Sequence, residues 1–252
     1  EMEALKPADA IHDHLAPIYE TVRILSRELP EETTLIGFAG APWTVATYMI
    51  AGKGTPDQGP AHALKDENPE VFDALMERIT LATIEYLDMQ IQAGAEVVKL
   101  FDSWAGSLSR DLYVQRILPH TQDLLEGLQD RVPVTVFAKG GSHFLTELTT
   151  LPCTTLGLDW QTDRKWARDL ANNAPGGPKV LQGNLDPSVL YANPGTIRAE
   201  THRMIDELGI HRTIANLGHG LYPDIPADHG RAFVQAVKEY TPATERETTT
   251  SA

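Results

Sequence analysis

Three side chains stand where a small-molecule site can recruit them: Tyr48, Ser103 and His219. Tyr48 follows Gly37, Gly40 and Pro42 in GFAGAPWTVATYM, and a phenol beyond that turn can bind a carboxylate or polarise a leaving group. The same run also reads as a plain turn, with Trp43 a packing anchor and Tyr48 an ordinary helix residue. In VVKLFDSWAG, Asp102 and Ser103 can each hydrogen-bond a ligand or cap a loop. No His adjoins Ser103 and no Gly-x-Ser-x-Gly surrounds it, so the chemistry expected is hydrogen bonding, not nucleophilic attack. His219 stands between Gly218 and Gly220, which leaves its ring unshielded by neighbours and able to face a ligand; a structural role is the alternative. In FAKGGSHF, Lys139 offers a cation and Gly140 and Gly141 offer approachable amides, though Lys139 can equally pair with Asp159. Asn184 and Asp186 in QGNLDP read as turn formers ahead of Pro187.

These clusters need elements to hold them. Short apolar runs recur at Leu35 to Phe38, Val97 to Phe101, Val134 to Phe137, Thr155 to Leu158, Val180 to Gln182 and Thr213 to Ala215. Their near-continuous apolar character is that of buried parallel strands. Each is followed by a Gly, Pro, Asn or Asp cluster and then by helical periodicity. The helices are expected at Ile11 to Leu29, Glu70 to Gln92, Leu112 to Leu128, Lys165 to Ala171, Ile197 to Leu208 and Asp228 to Tyr240, with another beginning at Trp43. Asn68 is the expected cap of the second, with Pro69 at its first position. Repeated βα units close into a barrel or an open doubly wound sheet. An open sheet concentrates its site at one switch point, whereas here unusual residues follow every strand, as they do at the mouth of a (β/α)8 TIM barrel. About six of the eight βα units are visible, so the first two are expected upstream of residue 1. Residues 1–240 then form a single barrel domain, and TPATERETTTSA at 241–252, with no apolar face, is expected to be a disordered tail.

Composition narrows the function. A net charge of -14 argues against affinity for nucleic acid or an anionic membrane, yet local cations can still line one cleft for an anionic substrate. No run approaches the roughly 20 apolar residues that span a bilayer, and the charged start has no signal-peptide core, which points to a soluble, cytoplasmic protein. The lone Cys153 permits no internal disulfide. There is no HExxH, paired-cysteine motif, Walker loop or GxGxxG, so no metal or nucleotide cofactor is expected.

Taken in order, GFAGAPWT with TYM, FDSWAG, FAKGG, GLDW, QGNLDP and NLGHGLYP resemble the uroporphyrinogen decarboxylase family across about Leu35 to Tyr240. The resemblance implies a (β/α)8 barrel, a cofactor-independent carboxy-lyase of porphyrin and heme biosynthesis, a uroporphyrinogen substrate and a homodimer. It implies substrate contacts at Tyr48, Ser103 and His219. It also implies an N-terminal stretch with arginines for the substrate's carboxylates and an Asp for its pyrrole NH groups. Neither is in this sequence, so the chain by itself is expected to be impaired. Two alternatives stand beside it. A zinc-dependent corrinoid methyltransferase on the same barrel needs a His-x-Cys motif and a second Cys, and Cys153 is alone. A non-catalytic tetrapyrrole-binding protein is the other.

Overall fold

The computed structural model describes residues 5–128 and 131–242. Most of the expected tail lies outside them. The elements in chain order are α1 (His12–Glu28), β1 (Ile36–Gly40), α2 (Pro42–Ala51), α3 (Gly59–Glu67), α4 (Pro69–Gln92), β2 (Val97–Asp102), α5 (Arg110–Leu112), α6 (Leu118–Gly127), β3 (Val134–Ala138), α7 (Leu145–Leu148), β4 (Thr155–Gly157), α8 (Arg164–Asn172), β5 (Val180–Leu185), α9 (Pro194–Leu208), β6 (Thr213–Leu217) and α10 (Ala227–Lys238). All six expected strands form. Alternation of parallel strand and helix is the (β/α)8 barrel pattern, with six βα units described. By internal contacts the chain divides into two compact units, Glu1–Thr154 and Thr155–Ala252.

In the first unit β1 pairs in parallel with β2, and β2 with β3, in a register that sets Gly40 beside Phe101 and Phe101 beside Phe137. Strand residues alternate between faces. Gly37 and Ala39 of β1 lie toward α4, where a Cβ on Gly37 would come 2.9 Å from the Gln90 side chain. Gln90 uses that closeness: its amide accepts from Phe38 N and donates to Phe38 O, each at 3.0 Å. Trp43, Phe72, Met76, Leu100 and Leu124 are wholly buried, with the Trp43 and Phe72 rings 6.3 Å apart. Each such side chain contributes about 1.5–3 kcal/mol of burial.

Two helices depart from expectation. Asn68 makes no side-chain cap bond to α4, although Pro69 does occupy its first turn. The run Leu112 to Leu128 is interrupted by a π turn, Tyr113–Ile117. Pro119 explains it: without an N–H it cannot bond back four residues, and the helix widens just before it. The short α3 has too weak an apolar stripe to stand out in the sequence.

In the second unit β4 pairs in parallel with β5, and β5 with β6. Asp163 caps α8 by accepting from Trp166 N at 2.7 Å, and Asn193 caps α9 through Thr196 N at 3.0 Å. Leu185, Leu190, Ile197 and Met204 form its solvent-free centre. Among the described residues no helix is long and apolar enough to cross a membrane.

Candidate functional site

The loop after β2 is tied to the elements on either side of it. Ser103 is half-buried and held from both sides. On one side Lys139 N donates to the Asp102 carbonyl at 3.1 Å. On the other, Trp104 N donates to Thr44 Oγ1 at 3.3 Å, while Trp43 Nε1 and Ser107 Oγ both donate to the Trp104 carbonyl. Tyr48, 45% exposed, lies one helical turn beyond Thr44 on α2, with its ring 6.3 Å from that of Trp104. The structure therefore brings Tyr48 and the Ser103 loop together, two of the three expected residues.

Asp102 does not share the Ser103 face. Alternation turns it with Val98 and Leu100 toward the helices, where it is 1% exposed and its Oδ1 accepts from Thr44 Oγ1 at 2.8 Å. Burial pushes its pKa up to about 6, with the hydroxyls of Thr44 and Tyr113 acting the other way. Tyr113 is thus an electrostatic neighbour, yet neither its hydroxyl nor Asp102 Oδ2 has a partner in hydrogen-bond geometry. Tyr113 is fixed by its ring, stacked on Phe144 at 3.9 Å. Its buried phenol is held well above the usual range by desolvation, then by Asp102.

The opposite face of β2 carries Lys99 and Phe101. Phe38, Phe101 and Phe137 make an aromatic row across three strands, with both ring pairs edge-on at 5.9 Å. Lys99 Nζ lies 4.8 Å from the Phe101 centroid and 5.2 Å from that of Phe137, and burial lowers its pKa to about 8. The loop after β3 leans on the Ser103 loop: Gly106 N donates to Lys139 O at 2.9 Å, and a Cβ on Gly106 would come 2.7 Å from Gly140 Cα. Gly140 adopts φ 70°, and a Cβ on Gly141 would press on Phe144 and Ala138. Conformation and packing thus account for both glycines.

His219 belongs to the second unit, exposed on the loop after β6. Its ring stacks 6.0 Å from Trp160 at 29°, and a Cβ on the intervening Gly218 would collide with the Trp160 backbone. Gly220 N donates to His219 Nδ1 at 2.7 Å, so neutral His219 carries its proton on Nε2 as a donor. Asp159 closes its own turn, Oδ1 accepting from Gln161 N, Thr162 N and Thr162 Oγ1. Asn184, wholly buried, donates to the carbonyls of Asp159 and Thr162 and accepts from Arg164 Nε. Asp186 caps the turn at Ser188. These three have the structural duties that turn chemistry gives them.

Sequence reading missed the aromatic row, Tyr113 and the stacking of Trp160 on His219. The row had a signal, a Phe near the end of each of the first three strands. Tyr113 and Trp160 matter only through contacts that periodicity does not encode.

Parallel strands with polar side chains on the following loops define the chain as a (β/α)8-barrel enzyme. It belongs to the uroporphyrinogen decarboxylase family, whose model matches residues 1–240. It is 47% identical over 241 residues to the uroporphyrinogen decarboxylase of Jannaschia sp. (strain CCS1), covering 94% of this chain and 69% of that protein. With the enzyme of the same name from Roseobacter denitrificans (strain ATCC 33942 / OCh 114) it shares 48% identity over 244 residues, again 94% of this chain and 69% of the relative. Among solved structures, a methyltransferase from Methanosarcina mazei superposes with a TM-score of 0.81 over 95% of this chain and 69% of that one. At 20% identity, that likeness shows the fold alone.

Proposed function

We propose that this chain performs the reaction after which its family is named, removing CO2 from the four acetate side chains of uroporphyrinogen III to give coproporphyrinogen III. The observation that carries this reading is the family match running unbroken through residues 1–240, with close to half of all positions identical to decarboxylases. The same continuity supports treating residues 1–240 as one catalytic domain.

The chemistry asks little of a cofactor. Protonating a pyrrole ring makes it an electron sink; the bond to the acetate carboxyl then breaks, its electron pair enters the ring and CO2 leaves. A proton subsequently replaces the carboxyl on the side-chain carbon and the ring gives up the proton it had taken, so that each CO2 lost consumes one proton overall. The protein must orient a polyanion and keep water from its reacting face. In this reading the Tyr48 and Ser103 hydroxyls and the His219 Nε2–H are hydrogen-bond donors to substrate carboxylates. The row of Phe38, Phe101 and Phe137 offers the macrocycle an apolar face. We place the enzyme in the cytoplasm as a homodimer, a state that light scattering after size exclusion tests.

The protein as the cell makes it, purified under anaerobic reducing conditions, is expected to convert uroporphyrinogen III stepwise to coproporphyrinogen III without added metal or coenzyme. Chromatography of the oxidised porphyrins and release of labelled CO2 measure it. Recovery of the octacarboxylate unchanged would overturn the assignment.

A further inference from the structure

Asp102 presents a problem that substrate binding does not solve. It is a carboxyl placed away from the Ser103 face, inside a layer of strands and helices, with one oxygen bound and the other without a partner. Burying an ionisable group in that state costs stability, so its presence calls for a role. What it holds is the Thr44 hydroxyl, at 2.8 Å, and that hydroxyl spends its acceptor on Trp104 N. The chain of contacts therefore runs from β2 to α2 and back to the loop after β2. Ser103 lies inside the closed circuit, and Tyr48 is four residues along the helix that supplies Thr44.

We propose that Asp102 is a positioning residue of the decarboxylase site: through Thr44 it locks the Trp104 amide, and so fixes Ser103 relative to the helix that carries Tyr48. This inference rests on the reading that Tyr48 and Ser103 bind substrate. Ionised, Asp102 makes the Thr44 bond charge-assisted and stronger; protonated, it offers only a neutral acceptor. The groups facing it from the packed elements are Thr44 on α2 and Tyr113 on the π turn, and of these only Tyr113 titrates, well above the range of interest. The lock therefore weakens as pH falls through about 6.

The test uses Asp102→Asn, Thr44→Val, Thr44→Ser and the double variant Asp102→Asn/Thr44→Val. Steady-state decarboxylation is measured from pH 5 to 9, with amide exchange at Trp104 followed by NMR. The wild type is expected to lose kcat/KM below about pH 6, and Asp102→Asn to lack that limb. Each of Asp102→Asn and Thr44→Val is expected to lower kcat about tenfold, because one charge-assisted bond is removed, and the double variant to fall no further than the singles. Thr44→Ser, which keeps the hydroxyl, should recover most of the rate lost in Thr44→Val. Trp104 amide exchange should quicken about tenfold or more in both single variants.

Additive losses in the double variant, or an unchanged acid limb and unchanged Trp104 exchange in Asp102→Asn, would overturn the proposal. If Asp102→Asn does not fold, the comparison of Thr44→Val with Thr44→Ser decides by the same two readouts. Absence of decarboxylation in the wild type would instead sink the substrate assignment, while Trp104 exchange would still report on the lock.

Discussion

At the scale of single residues, chemistry depends on which atom of a side chain is committed and which is offered. His219 illustrates this, because the Gly220 N–H bond to Nδ1 puts the proton of the neutral ring on Nε2. His219→Ala is expected to lower kcat/KM about tenfold, the worth of one lost hydrogen bond to a charged ligand, whereas His219→Gln, with an amide donor at similar reach, should lose less. Equal losses in kinetic assays of the two variants would argue for a role in shape, not in donation. Asp102 allows a prediction about stability. Its pKa rises from 3.8 to about 6 on folding, so the native state binds this proton more tightly than the unfolded chain does. The sign follows: the contribution is fully present below pH 4 and is lost as pH rises through 6, by about 3 kcal/mol in all. Urea unfolding from pH 4 to 8 should show wild type losing stability relative to Asp102→Asn by about that amount. The placements of Ser103 and His219 were legible because Asp and Gly punctuate the strand ends they follow, and that of Tyr48 because Gly40 and Pro42 announce the turn into α2. The duty of Asp102 was not, since the face a strand-end residue takes depends on the strand's burial, and its partner lies 58 residues away.

Elements place these residues by close approach, and two glycines carry most of that burden. Gly106 lets the loop after β2 touch the loop after β3; an added Cβ would stand 2.7 Å from Gly140 Cα and 2.8 Å from Lys139 O. Gly218 does the same for the His219 loop, where a Cβ would come 2.8 Å from Trp160 Cα and 2.9 Å from the Asp159 carbonyl carbon. Backbone atoms cannot swing aside as a flexible side chain can, so Gly106→Ala and Gly218→Ala are each expected to destabilise by about 1–3 kcal/mol. Their kinetic effects should differ in kind. Gly106→Ala shifts the Ser103 loop that the Asp102 lock fixes, whereas Gly218→Ala displaces the His219 ring from Trp160 and should raise KM. Denaturant midpoints beside kcat and KM check both, and wild-type values for either variant would show the loops yielding without strain. Glycines in GG and GHG runs announce turns in a sequence, but not the neighbour that each must admit. Periodicity likewise announced the helix from Leu112 without the π turn at Tyr113–Ile117, because one proline within an apolar stripe leaves the stripe's spacing readable.

For the molecule as a whole, the repeating strand-and-helix rhythm was plain in the sequence, since the strand runs are apolar and the helices amphipathic, although β1 alternates between exposed and buried residues and β6 buries none, against the expectation of uniformly buried strands. What that rhythm does not convey is the field in which a substrate arrives. The chain carries a formal net charge of -14, and the proposed substrate is itself a polyanion. At an ionic strength of 0.01 M the Debye length is about 30 Å, so the approaching macrocycle senses most of the protein's net charge; at 0.15 M it is about 8 Å, and only nearby groups act. Contacts to the bound substrate are shorter than either length and less exposed to screening ions. Salt should therefore change the encounter more than the bound complex. The expected outcome is a rise of about two- to fivefold in kcat/KM from 0.01 to 0.15 M salt, with kcat nearly constant. Initial rates at substrate concentrations well below KM, over a salt series at fixed pH, measure it. A fall over the same range would mean that cations close to the site, not the acidic surface, govern approach. Because a small neutral substrate would show no salt dependence of either sign, the experiment also probes the polyanionic character of what this barrel takes in.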